Sequence, residues 1–163
     1  MRYLTCADYF KPSPNITLAG MSEESESEKL QECTKFIQQI NSHLNQDAEL
    51  LLMAVHIFCM FARKKSFVEF DRFLACGMAH FVAAKVAEKR PTVEFYTKFV
   101  HENRPATTKL VKGKTHKQKP YAEVRESLQS EAMSLELDLL SVLGFEFDFV
   151  LPTTFLRMYL AVA

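Results

Sequence analysis

AHFVAAKVAEKRP, Ala79 to Pro91, is an almost unbroken apolar run that ends with Lys85, Glu88, Lys89 and Arg90 crowded into its last turn. It reads as a helix that stops before Pro91, because the residue preceding a proline is pushed out of helical geometry. Its small residues, Ala75, Gly77, Ala79, Ala83 and Ala84, would let neighbouring helices approach closely. Lys85 is out of place in such a run. A charge among residues that should be core or interface is unfavourable unless it is partnered or reaches water.

Working outward, this helix runs from about Phe70 to Lys89, and amphipathic or apolar helical patterns flank it. Upstream, Leu30, Cys33, Phe36, Ile37, Ile40 and Leu44 recur on one stripe, opposite Gln, Lys and Glu. Asn45 and Asp47 are candidate caps for a second helix, LLLMAVHIFCMFA from Leu50 to Ala62, which is apolar nearly all round and therefore expected to be central. Arg63 to Ser66, RKKS, breaks it. Downstream, PTVEFYTKFVH places Pro91 where a first helical turn tolerates it and presents Val93, Phe95, Tyr96, Phe99 and Val100. A last helix from about Tyr121 to Leu143 carries Leu128, Met133, Leu135, Leu139, Leu140 and Val142, with Gly144 as its stop. The short FEFDFV after it is expected to be a strand-like connector. The class is all-α, with five helices.

Residues 1–28 contain proline, glycine, serine and the acidic cluster SEESESE, and are expected to form a flexible tail before a helical domain over 29–150. Residues 151–163 begin a further unit or a C-terminal tail. The chain of 163 residues suits one domain, and 20 basic against 20 acidic residues exclude a globally charged surface. Cys6, Cys33, Cys59 and Cys76 lack the spacing of a zinc site or disulfide framework and read as reduced, mostly buried thiols. The apolar run at Leu50 is too short for a bilayer span of roughly 20 residues, so no membrane role is expected. The N-terminus lacks the pattern of a signal peptide, so the N-x-T at Asn15 is expected to be chance in an intracellular chain.

Catalytic patterns are absent: there is no glycine-rich phosphate loop, no G-x-S-x-G and no H-E-x-x-H. No catalytic residue, metal or cofactor is expected. His56 and His80 fall inside apolar helices and read as hydrogen-bonded core residues in preference to an acid–base pair. Lys109, Lys112, Lys114, Lys117 and Lys119 form a basic loop that could touch phosphate, although it lacks the aromatics that stack bases; a solvated loop is the simpler reading. Glu136, in MSLELDLL, repeats the anomaly of Lys85. Either each charge reaches solvent on its own, or the two helices are neighbours and the charges meet at a shared edge.

FLACGMAHFVAAKVAEKRP, followed by LELDLLSVLGFEFDFVLPTTFL, resembles the cyclin box, most closely that of the T, K and L types of transcriptional cyclin, over about Leu30 to Leu160. The resemblance implies a five-helix cyclin box whose third and fifth helices dock a cyclin-dependent protein kinase, with a second box missing or truncated. The family's lysine and glutamate fall on Lys85 and Glu136, and its apolar kinase contacts on Val86, Leu140, Phe145 and Phe147. KLQECTKFIQQI lacks the arginine-containing start of cell-cycle cyclins, which favours the transcriptional branch. The implied function is kinase activation in transcription by RNA polymerase II, in the nucleus. The alternative is a cyclin-fold adaptor that binds nucleic acid or transcription proteins through the lysine loop.

Overall fold

The structure, a computed structural model, describes residues 12–105 and 119–147. Among these residues it is all-helical, without strands. A short helix α1 (Pro14–Thr17) precedes five long ones: α2 (Glu23–His43), α3 (Ala48–Ala62), α4 (Arg72–Val86), α5 (Val93–Asn103) and α6 (Tyr121–Leu143).

The central helix is α4, and not α3 as its composition suggested. Every residue of α4 from Phe73 to Ala84 is buried, and α2, α3, α5 and α6 all pack on it. In α3 only Leu50, Ala54, Ile57, Phe58, Phe61 and Ala62 are buried. The two differ in side-chain size. Alanine and glycine let four neighbours close in around α4, whereas the long side chains of α3 hold neighbours off on one side. At Gly77 a Cβ would lie 2.8 Å from Val100 Cγ2, so α4 and α5 approach too closely there for any side chain.

Local capping accounts for the helix ends. Asp47 caps α3, accepting from the Leu50 amide at 2.8 Å. Asp71 caps α4 through Phe73 and Leu74 and pairs with Arg104 at 3.0 Å, which ties the start of α4 to the end of α5. Asn45 does not cap α3. It takes a left-handed φ of 50° just past α2, and the Gln46 amide folds back on Asn41 O at 3.0 Å. The same turn closes α4, with Glu88 at φ 56° and the Lys89 amide on Ala84 O. It takes up the residues that would have prolonged α4, so Pro91 lies ahead of the Thr92 cap and outside α5. Gly144 closes α6 at φ 65°, as its position suggested.

Two expectations at the ends of the domain are corrected. The segment before Lys29 is not all tail: α2 begins at Glu23, where Ser22 caps it and Glu23, Glu24 and Glu26 interact favourably with the positive end of the helix dipole. Upstream of it Asn15, the acceptor residue of the N-x-T motif, is fully buried. Residues 145–147, the described part of FEFDFV, form no strand, and 148–150 together with 151–163 lie outside the described residues. The thiols behave as read: Cys33 and Cys76 are buried, Cys59 is half-buried and all three are free, while Cys6 lies outside the described residues.

A Gly77→Ala substitution adds a methyl group against a buried, β-branched valine and is expected to destabilise the protein by about 1–3 kcal/mol, despite alanine's better helix propensity. Urea denaturation of the variant beside wild type measures it. An unchanged midpoint would mean that the α4–α5 contact yields easily.

Candidate functional site: the α4–α6 edge

Lys85 is the first exposed residue after the buried run of α4. One helical turn back, the Phe81 ring lies 4.5 Å beneath its ammonium group, a cation–π contact. The ammonium is also 2.6 Å from Glu136 Oε1 on α6. The two charges therefore meet at a shared helix edge. The side chain of Lys85 is 49 % exposed and that of Glu136 17 %, so the pair itself contributes no more than about 1 kcal/mol to stability.

Around this pair α6 has two apolar faces. Leu128, Ala132, Leu135 and Leu139 follow helical spacing and are buried against the bundle. A second stripe, Met133, Leu137 and Leu140, lies beside it. Met133 is 60 % exposed and Leu137 64 %, while Leu140 is half-buried. Met133 was grouped with the other apolar residues of the helix, but its register places it one face further round from the buried stripe. Leu137 was overlooked. The i, i+4, i+7 spacing of 133, 137 and 140 could have revealed a second stripe, although spacing alone does not say which of two faces meets the bundle.

At the end of α6 the Lys64 ammonium donates to Val142 O at 2.9 Å, and the chain then turns through two successive left-handed residues, Gly144 and Phe145. The Phe145 amide donates to Leu140 O at 3.1 Å, and its side chain is left 64 % exposed. A φ of 58° is unfavourable for an aromatic residue with a Cβ. Val86 and Phe147 are half-buried and pack against the core. The edge thus brings together Lys85, Glu136, Met133, Leu137, Leu140 and Phe145, with Val86 and Phe147 partly committed to the interior.

The other candidates lead elsewhere. Lys109, Lys112, Lys114 and Lys117 lie outside the described residues. Lys119 is exposed, and its carbonyl accepts from His101 Nε2 at 3.0 Å. His56 is exposed, not core. His80 is fully buried, as read, and both ring nitrogens are engaged, Nδ1 with Tyr96 Oη at 2.9 Å and Nε2 with Asn41 Oδ1 at 3.1 Å. Asn41 Nδ2 donates to the carbonyls of Gln46 and Asp47, which orients its Oδ1 towards the histidine. His80 therefore carries its proton on Nε2 and accepts from the Tyr96 hydroxyl. Burial lowers the pKa of His80 to about 4 and raises that of Tyr96. A neutral imidazole saturated with hydrogen bonds is a structural strut between α2, α4 and α5.

Among the described residues no cluster of side chains could hold a metal ion, and no helix is long and apolar enough to cross a membrane. In comparisons with known proteins, no family model and no curated protein matches the chain.

Two outcomes are expected here. The unfolded chain protonates His80 near pH 6.5 and the folded protein only near 4. Stability contributed by the neutral histidine is therefore complete above pH 6.5 and lost as pH falls towards 4, by on the order of 3 kcal/mol. Urea midpoints at pH 7 and pH 5 should differ less in a His80→Gln variant than in wild type, and equal differences would remove the assignment. Replacing Met133 and Leu137 together by serine should change stability by no more than about 0.5 kcal/mol, because both are exposed surface positions. A larger loss in the same urea assay would show that they support the fold.

Proposed function

We propose that the chain is a cyclin-like regulatory subunit that binds and activates a cyclin-dependent protein kinase, in transcription by RNA polymerase II and hence in the nucleus. The observation that carries this reading is the α4–α6 edge: an oriented Lys85–Glu136 pair beside the exposed apolar stripe Met133, Leu137 and Leu140 and the outward Phe145. Exposed apolar residues beside a fixed charge pair are the kind of surface that protein-binding sites use. The cyclin-box resemblance of the sequence implies kinase contacts on Lys85, Val86, Glu136, Leu140, Phe145 and Phe147, which supports reading this edge as the docking surface.

In this reading the chemistry belongs to the kinase. An inactive kinase holds its αC helix away, so the αC glutamate cannot pair with the strand lysine that positions ATP. The α4–α6 edge binds only the inward arrangement of αC well, and that difference in affinity shifts the population towards the active form. Phe145, with Leu137 and Met133, supplies apolar area that is buried on docking. Lys85 and Glu136 hold each other in place and present hydrogen-bonding groups that set the register. The left-handed backbone at Phe145 aims its ring outward before the partner arrives, so less ordering remains to be done on binding.

The test is recovery of kinases from nuclear extract on the immobilised chain, followed by phosphorylation assays with the kinase recovered. Phe145→Ala is expected to weaken kinase binding by about 2 kcal/mol, or some thirtyfold, with little effect on folding. The Lys85→Glu, Glu136→Ala double variant should bind no kinase. Kinase recovery equal in wild type and both variants would overturn the proposal.

A further inference from the structure

Residues 13–15 are held on the domain by the Glu26 carboxylate and the Asn15 carboxamide. Glu26 Oε1, in the first turns of α2, accepts from the Ser13 hydroxyl and from Asn15 Nδ2 at 2.8 Å. Asn15 in turn reaches the loop between α3 and α4, where its Oδ1 accepts from the Phe67 amide at 2.7 Å and from Ser66 Oγ at 3.3 Å. Ser13, Asn15 and Glu26 thus form a latch that joins α1 and its cap, the start of α2 and the loop that leads to α4. Asn15 is fully buried in it. Ser13 is only partly buried, and Pro14 follows it. This is the only Ser-Pro or Thr-Pro step in the chain. A serine followed by a residue without an amide N–H is the substrate signature of proline-directed serine kinases.

We propose that Ser13 is a phosphorylation site for a proline-directed kinase, and that its modification releases the latch. Ser13 Oγ attacks the γ-phosphorus of ATP, the bond to the β,γ-bridging oxygen breaks, ADP leaves, and the hydroxyl proton passes to the kinase's base. The hydroxyl that donated to Glu26 is thereby replaced by an acceptor-only group bearing about −1.5 to −2 charges at pH 7. It would stand against the Glu26 carboxylate, with Glu23 and Glu24 in the same helical turn. Lys29, one turn further along α2, has its ammonium 3.6 Å from Met21 Sδ. Four residues of α1 give little dipole to offset this repulsion. The closed latch is therefore incompatible with phosphoserine. Asn15 donates to the same carboxylate oxygen, so a displacement of Glu26 away from the phosphate breaks its bond to Asn15 as well. The kinase captures the segment during a local opening, and the phosphate then prevents reclosure. This holds whichever partner occupies the α4–α6 edge.

The experiment treats the full chain with ATP and a purified proline-directed kinase, locates phosphate by tandem mass spectrometry and follows amide hydrogen exchange. One phosphate is expected, on Ser13, entering several-fold faster in an Asn15→Ala variant whose latch is already loosened. After phosphorylation, exchange at the Phe67 amide and at residues 16–18 should accelerate at least tenfold. In Glu26→Gln, which keeps an acceptor oxygen but removes the repelling charge, the acceleration should be much smaller. Absence of phosphate on Ser13 in both wild type and Asn15→Ala would overturn the proposal. So would phosphorylation that leaves exchange unchanged, or an equal acceleration in Glu26→Gln.

Discussion

Burial of α4 on all sides is the constraint from which the rest of the architecture follows. A helix with no solvent face must be built from residues that need no water and must be met by neighbours in every direction. Alanines and Gly77 meet the first condition by keeping α4 thin, so that Val100 can sit where a side chain would otherwise be. The second condition sets the positions of α2, α3, α5 and α6, each of which turns an apolar stripe inward to the same cylinder. The one buried polar side chain within α4's enclosed run, His80, is admitted because Asn41 and Tyr96 satisfy both of its nitrogens.

The same constraint creates the edge. Where α4 leaves its enclosure at Lys85, its neighbour α6 is still running, and its apolar surface is wider than the bundle can cover. One stripe of α6 completes the core and the next remains in solvent. The Lys85–Glu136 pair lies at the seam between α4 and α6, its carboxylate largely covered and its ammonium half in water. Met133, Leu137 and Phe145 are exposed on the folded chain, and theirs is the apolar surface that the proposed partner would cover. An aromatic residue held at positive φ and pointed outward fits the same account.

At the opposite end of the molecule's logic is the N-terminal latch, where polar bonds do what apolar packing does elsewhere. A single carboxylate and a single carboxamide join three separate parts of the chain. Polar connections of this kind are conditional on charge in a way that the core is not, since one added anion reverses the sign of the central interaction. Apolar packing sets the architecture, and a few charged or hydrogen-bonding groups decide what its ends can do.

Much of this was legible in the sequence. The all-helical class, the Asp47 cap, the Gly144 stop, the bounds of α6 and the buried stripe of α2 follow from periodicity and capping, because both are properties of a few consecutive residues. The anomaly of Lys85 and Glu136 was also visible, as charges among apolar residues. Tertiary structure alone decided between solvent and a shared edge, because 51 residues separate the pair and no local rule relates them. It likewise decided that α4 and not the more hydrophobic α3 is central, since burial on all sides depends on how closely neighbours can come and not on hydropathy alone. Met133 and Leu137 are apolar members of the same helix as Leu135 and Leu139, and nothing in the sequence alone separates the two stripes. Which apolar face of α6 meets the bundle is fixed by the orientation of the whole helix, and that orientation exists only once the other four helices are in place.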